Sequence, residues 1–273
     1  MSRKIALGCV VLALAPLLAS GADKPLAPAR LSAAAIVERN IAARGGLGAW
    51  RAVQTLAWSG ALDAGGNNQR PLKVPGVPAQ PAAPANAAPV QLPFVLEMKR
   101  PRMQRLEIQF NGQTAVQVYD GKQGWKVRPF LSRSDVELFT SDELEMAAMQ
   151  ADLDGALVDY AAKGTKVEVD GIEQVEGRDA YRLKLTFRNN HVVHDWVDAQ
   201  TFLELKIEGT PRRLDGKLHP VAIYLRDYRA EHGLQIPHVL ETSVQGIART
   251  EKIRIEKVVV NPPIDQARFT KPS

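Results

Sequence analysis

The sequence predicts an α+β chain that is mainly β, built on one large antiparallel sheet with few helices. Two observations carry this. Apolar and polar residues alternate through Arg105 to Phe110, Tyr181 to Phe187, Phe202 to Glu208 and Lys252 to Lys257. Successive side chains of a strand point to opposite faces, so each segment has one greasy face and one charged face. Turn signals such as Asn111-Gly112, Asp120-Gly121, Glu176-Gly177, Asn189-Asn190 and Gln245-Gly246 separate these segments at the spacing of an antiparallel meander. Such a sheet is wet on one side, and what its greasy side covers is the functional question.

Ser32 is a plausible N-cap for a helix over Ala33 to Arg44, with Ile36, Val37 and Ile41 on its apolar side and Gly45-Gly46 as its stop. Ala52 to Asp63 reads as a strand, with Leu56, Trp58 and Leu62 on one face. Residues 64–93 break the pattern: seven prolines among Ala, Gly and Asn can supply few ladder donors and have little to bury, so a Pro/Ala-rich loop is expected there. Strands resume at Phe94 to Lys99, Arg102 to Phe110, Gln113 to Tyr119 and Gly124 to Pro129. A helical insert is expected over about 134–164, capped by Ser141, with Asp142 and Glu143 suiting the helix dipole. From Thr165 to Pro262 the chain returns to about seven strands.

The N-terminus reads as a secretory signal. Arg3 and Lys4 precede an apolar run from Ile5 to Leu18, and Ser20-Gly21-Ala22 offers small residues for cleavage before Asp23. The expected organisation is a signal peptide over 1–22 and a single domain over 23–273, exported from the cytoplasm. Cys9 is the only cysteine and falls within the signal, so disulfides, thiolate zinc sites and cysteine nucleophiles are excluded from the mature chain. The net charge of +5 is spread with both signs interleaved, which does not suggest nucleic acid as a partner.

Candidate catalytic groups are few. His191 and His194 have i, i+3 spacing, but in a strand those positions face opposite ways, so solvated hairpin histidines are expected rather than a metal site. His238 is in phase with Ile236 and Leu240 and reads as a hydrogen-bonded core histidine. Asp152 and Asp154 do not make a convincing acid/base pair, and neither a G-x-S-x-G elbow nor a phosphate-binding Gly-rich loop occurs. The reading is therefore not an enzyme, with no cofactor and no metal. A sheet of this size with two or three short helices lacks cover for its apolar face, and that shortage suggests a cavity or groove for an apolar ligand.

Five stretches then carry a family likeness. They are Ile36 to Arg39 through Arg44-Gly45-Gly46 and Trp50; Lys99-Arg100-Pro101; Tyr119-Asp120-Gly121 to Trp125; Val175 to Tyr181 followed by Val197-Asp198-Ala199; and Asp227-Tyr228-Arg229 with Gly233, Pro237, Asn261, Ile264-Asp265 and Phe269. In this order they resemble the periplasmic outer-membrane lipoprotein-sorting superfamily, the LolA/LolB-like proteins. The resemblance implies an unclosed antiparallel β-barrel, a half barrel, with helices covering the concave apolar face. It also implies binding of lipid or lipoprotein acyl chains without catalysis. The Pro/Ala-rich loop departs from the family's pattern, and no arginine is carried over as a lid latch.

The expected function is a periplasmic binding or carrier protein for a lipid or lipoprotein acyl group, in outer-membrane lipoprotein sorting or envelope biogenesis, with transient contact at the membrane surface. An envelope sensor or regulatory module that binds proteins is the alternative, and a lipid hydrolase a further one. Strand phase places Trp58, Phe94, Leu106, Ile108, Phe110, Val118, Trp125, Leu183, Leu185 and Leu205 on one binding face. Leu56, Leu96, Val116, Leu203, Ile223 and Leu225 are expected beside them, with the two helical segments as movable cover.

Overall fold

The computed structural model describes residues 30–64, 90–129 and 133–272. The expected signal peptide and most of the Pro/Ala-rich loop lie outside the described residues. Within them the chain runs α1 (Ala33–Ala43), α2 (Leu47–Ala52), β1 (Thr55–Ala64), β2 (Val90–Lys99), β3 (Met103–Phe110), β4 (Gln113–Tyr119), β5 (Gly124–Arg128) and β6 (Arg133–Leu138). It continues α3 (Ser141–Gln150), β7 (Lys166–Val175), β8 (Arg178–Thr186), β9 (Val192–Asp198), β10 (Glu204–Leu214), β11 (Lys217–Glu231), β12 (Leu234–Val244) and β13 (Glu251–Val260), and ends in a short 3-10 turn over Gln266–Phe269.

All thirteen described strands join one antiparallel sheet, in the order β6-β5-β4-β3-β2-β1-β13-β12-β11-β10-β9-β8-β7. It does not close, because β6 and β7 are its two edges. Each half is a plain meander, as the turn spacing predicts. Asn111 and Gly112, both at positive φ, make the two-residue turn that sets Phe110 opposite Gln113. The halves meet where β1 pairs with β13, Leu56 opposite Val260 and Trp58 opposite Val258.

Ser32 caps α1 as expected, accepting from the Ala35 amide at 3.2 Å. Gly45, at φ +113°, carries the chain so close to Gly233 that a Cβ would meet the Gly233 carbonyl oxygen at 2.3 Å. Four details differ from the sequence reading. A short helix, α2, stands where the strand was expected to begin. Val90 to Pro93 belong to β2 rather than to the loop. Residues 133–138 form the edge strand β6 rather than the start of a helical insert; four of the six are polar, and the apolar Leu138 is 65% exposed, so no buried alternation marks them. The cap of α3 is Thr140, not Ser141: its hydroxyl accepts from the Glu143 amide while the Glu143 carboxylate accepts from the Thr140 amide. The helix ends at Gln150, and turns follow to Gly164.

Because β6 and β7 are opposite edges, the segment between them has to cross the sheet. Ala147 and Ala151 pack on Tyr119 near one edge. Leu153 and Val158 pack at the centre with Trp50, Leu56 and Ile236. Leu157 packs with Tyr181 and Leu183 toward the other edge. This strap and the two N-terminal helices cover the same face. On the opposite face the C-terminal turn lays Phe269 over Met103 and Val118, and Arg268 donates to Glu97 at 2.8 Å and Glu107 at 3.0 Å.

Candidate functional site

Directly paired residues of an antiparallel sheet point to the same side, so register decides which residues share the covered face. Across β3, β2, β1 and β13, the pairings Leu106–Leu96–Trp58–Val258 and Ile108–Phe94–Gly60–Ile255 form two rows. Leu92, Leu62, Ile253 and Leu240 form a third, which β11 extends with Leu225; Ile223, two residues away on β11, faces the same side. The rows face the helices and the strap. Near the strap Leu56, Phe94, Met98 and Ile255 are buried. Away from it Leu62, Leu92, Leu96, Ile108, Leu240 and Ile253 are only half-buried. Among the described residues the apolar stripe therefore continues beyond its cover, and this uncovered half is the candidate site. At its far end lies an opening of about 500 Å³ bordered by Leu92, Phe110, Gln109 and Gln113, a mouth of mixed polarity rather than an acyl chamber.

Charged groups mark two places on this face. Under the cover, Asp195, Glu204 and Arg44 are all buried. Arg44 Nε lies 3.6 Å from Glu204 Oε2, and its guanidinium stacks 4.5 Å from the Trp50 ring centroid. Burial and the neighbouring Glu204 carboxyl push Asp195 well above the usual carboxylate range. Tyr228, whose hydroxyl donates to the Glu204 carbonyl at 3.0 Å, is likewise pushed up by burial. Asp195 Oδ1, Arg44 Nη1 and Asn40 Oδ1 find no partner among the described residues. At the uncovered end, Arg212 of β10 holds Glu251 of β13 through two hydrogen bonds, 2.9 and 2.6 Å.

Ion pairs also fasten the strap. Arg100 donates to Asp154 Oδ2 at 2.7 Å, and Lys163 to Asp154 Oδ1 at 2.6 Å. Arg102 pairs with Asp152 at 3.2 Å, and Lys126 with Glu143. Burial pushes Asp152 up, against the pull of Lys163 and Arg102. Asp152 and Asp154 are thus anchors of the cover.

The structure brings Trp58, Phe94, Leu106 and Ile108 together in one cluster. Phe110 shares their side, opposite Gln113, at the mouth. Leu183 and Leu185 also face the cover, but Ile36, Val37 and Leu157 already bury them completely. Val118 and Trp125 are on the other face. Val118 pairs with Arg105 and Trp125, one step out of phase with Leu106, and both pack beneath Phe269 with Val116. Leu205 is the extra residue of a bulge between Glu204, opposite Val197, and Lys206, opposite Trp196. With Leu203 and Leu225 it borders a separate surface opening beside Arg226 and Glu176.

His238 is buried on the covered face, its Nδ1 2.7 Å from the Ile255 carbonyl oxygen, as expected of a core histidine. His194 is on the outer face against Glu208 at 2.7 Å. Among the described residues no group of three or more His, Cys, Asp or Glu is placed to hold a metal ion, and no described helix is long and apolar enough to cross a membrane. Sequence reasoning missed Arg44, Arg212 and Glu251, because each meets its partner only through the curl of the sheet or the packing of α1.

No protein-family model matches the chain, and no curated protein matches it. Solved structures share its fold. A LolA superfamily protein from Nitrosomonas europaea superposes with a TM-score of 0.56 at 15% identity, covering 88% of this chain and 98% of that one. A DUF1329 family protein from Desulfovibrio piger gives 0.56 at 13% identity, covering 87% and 97%. A domain described as an outer membrane lipoprotein-sorting protein, from Vibrio parahaemolyticus, gives 0.54 at 13% identity, covering 87% and 95%. The open, helix-covered antiparallel sheet is the fold these proteins have.

Proposed function

We propose that this chain is an exported, non-catalytic carrier that holds the acyl chain of a lipid or lipoprotein against the uncovered half of its apolar face. The observation that carries the reading is the half-buried stripe from Ile223 and Leu225 through Leu240, Ile253, Leu62 and Leu92 to Ile108, continuous with the core but beyond the strap. From β10 to β3 the sheet spans six strand intervals, roughly 29 Å along its arc. A sixteen-carbon chain lying there gains about 10 kcal/mol gross from burial, at roughly 0.8 kcal/mol per methylene, before ordering costs. The fold likeness to a LolA superfamily protein and a lipoprotein-sorting domain supports a carrier over a hydrolase. The export signal read from residues 1–22 supports a periplasmic location. In this reading the strap and α1 are the moving parts, and their opening controls loading.

Native mass spectrometry of the protein purified from an envelope extract is the direct test. A co-purifying mass of lipid size supports the carrier. An apo mass together with a stoichiometric protein partner supports the alternative of an envelope module, for which the edge strand β7, with Val169 and Ile172 exposed, offers the docking surface.

A further inference from the structure

We propose that the cargo is an anionic amphiphile, and that Arg212 receives its phosphate or carboxylate headgroup in exchange for Glu251. The inference rests on the acyl-groove reading and adds the class of headgroup to it.

Register puts Arg212 on the groove side. Ile223 pairs with Ile207, which pairs with Asp195, which pairs with the buried Leu183, so Ile223 faces the cover. His219 is four residues along the same strand and on the same side, and it is the partner of Arg212. Glu251 pairs with Thr242, the partner of Ile223, and so faces the groove as well. Two intervening strands, β11 and β12, separate Arg212 from Glu251 in the sheet, yet their side chains form a two-pronged contact. The contact is therefore a chord across the concave face. Lys252 and Arg254, next in sequence, point the other way, toward Glu241 and Asp63. The row beside this chord, Leu225-Leu240-Ile253-Leu62-Leu92, carries no charge. A cation at one end of an uncharged apolar stripe has the layout of an amphiphile site: tail along the stripe, head on the cation.

The chemistry favours exchange. Arg212 and Glu251 are each about one-third exposed, 38% and 30%, and pairs this open are weakly held. Arginine's planar fork suits phosphate and carboxylate oxygens equally well in two-point contact. A phosphate monoester brings more charge than Glu251 does, and the apolar wall beside it strengthens the attraction. Glu251 acts as a placeholder that satisfies Arg212 until cargo arrives.

The test uses the full mature chain and displacement of a fluorescent fatty acyl probe by two amphiphiles with the same tail, a lysophosphatidic acid and the matching monoacylglycerol. The expected result is a preference of about tenfold for the phosphate ligand. R212Q brings the ratio of the two affinities to near one, R212K retains part of it, and E251Q raises it severalfold. Circular dichroism confirms that each variant is folded. Inorganic phosphate alone, at millimolar concentration, displaces little probe; if it displaces as well as the lipid does, the site is a free-anion site and the proposal is overturned. Equal affinities in the wild type, or a ratio that R212Q and E251Q leave in place, also overturn it while leaving the acyl groove standing. Failure of both amphiphiles and the probe to bind at all defeats the groove reading itself.

Discussion

Arg100 and Asp154 join the sheet to its cover. Asp154 is 1% exposed and accepts from Arg100 at 2.7 Å, and the same guanidinium donates to the carbonyls of Val53 and Trp50 at the end of α2. One side chain from the β2–β3 turn therefore holds both α2 and the strap. Asp154→Asn leaves Arg100 partly buried without its close counter-charge, and Lys163 with only the more distant Asp152, at 3.9 Å. A loss of roughly 2–3 kcal/mol in unfolding free energy is expected from urea titration. Hydrogen exchange should accelerate first over residues 151–164. Unchanged exchange there would show that the strap is held by its apolar contacts alone.

The face assignment is testable by a matched pair. Ile108→Ser should weaken binding of a fluorescent fatty acyl probe by about tenfold. Trp125→Ser, on the other face, should leave probe affinity within about twofold. Equal effects would mean that the probe does not distinguish the faces.

Phe269 is 1% exposed on the outer face, over Met103 and Val118. Phe269→Ala should cost about 3 kcal/mol in urea unfolding, as buried aromatic truncations do. It should leave acyl-probe affinity in place, because the cavity it makes opens away from the groove. Loss of binding in a folded Phe269→Ala protein would place the groove on the wrong side.

Asp195 gives a pH dependence of definite sign. Its folded-state affinity for protons is raised, by burial first and by Glu204 second, with Arg44 opposing. The folded state thus holds a proton that the unfolded chain gives up near the ordinary value of 3.8. Its stabilisation is complete below that value and is lost as pH rises through the raised folded value. Asp195→Asn should remove this slope. Urea midpoints of wild type and variant, compared from pH 4 upward at about one-unit steps, read the difference directly. Parallel curves would mean that Asp195 is ionised within the fold.

Much of the fold was legible in the sequence because strand alternation and turn residues are local signals. β4 shows where that ends. Val116 and Val118 alternate cleanly with polar neighbours, so their phase within the strand is plain, but phase does not say which side of the sheet they face. The two-residue turn at Asn111-Gly112 does: it sets Phe110 opposite Gln113, which puts Val116 and Val118 out of phase with Leu106 and Ile108. Carrying that register forward also turns Trp125 outward. The sequence reading assumed one apolar face, whereas the C-terminal turn gives this corner of the sheet a second one. Arg44, Asp195 and Glu204 were hidden for another reason. They are distant in sequence, and only the docking of α1 on β9 and β10 makes them a group.

The pairing of β1 with β13 has a consequence for how the molecule is assembled. It is a seam between two ribbons, β1 to β6 and β7 to β13, and it joins the first strand to the last. Neither ribbon can finish its central flank until nearly the whole chain has been delivered. Long-range closure of this kind makes folding slow, and until it happens each ribbon presents a raw backbone edge to its neighbours. A chain threaded across a membrane N-terminus first can pair β1 with β2 early, but has to keep the other flank of β1 open, or guarded by another protein, until residues 251–260 emerge.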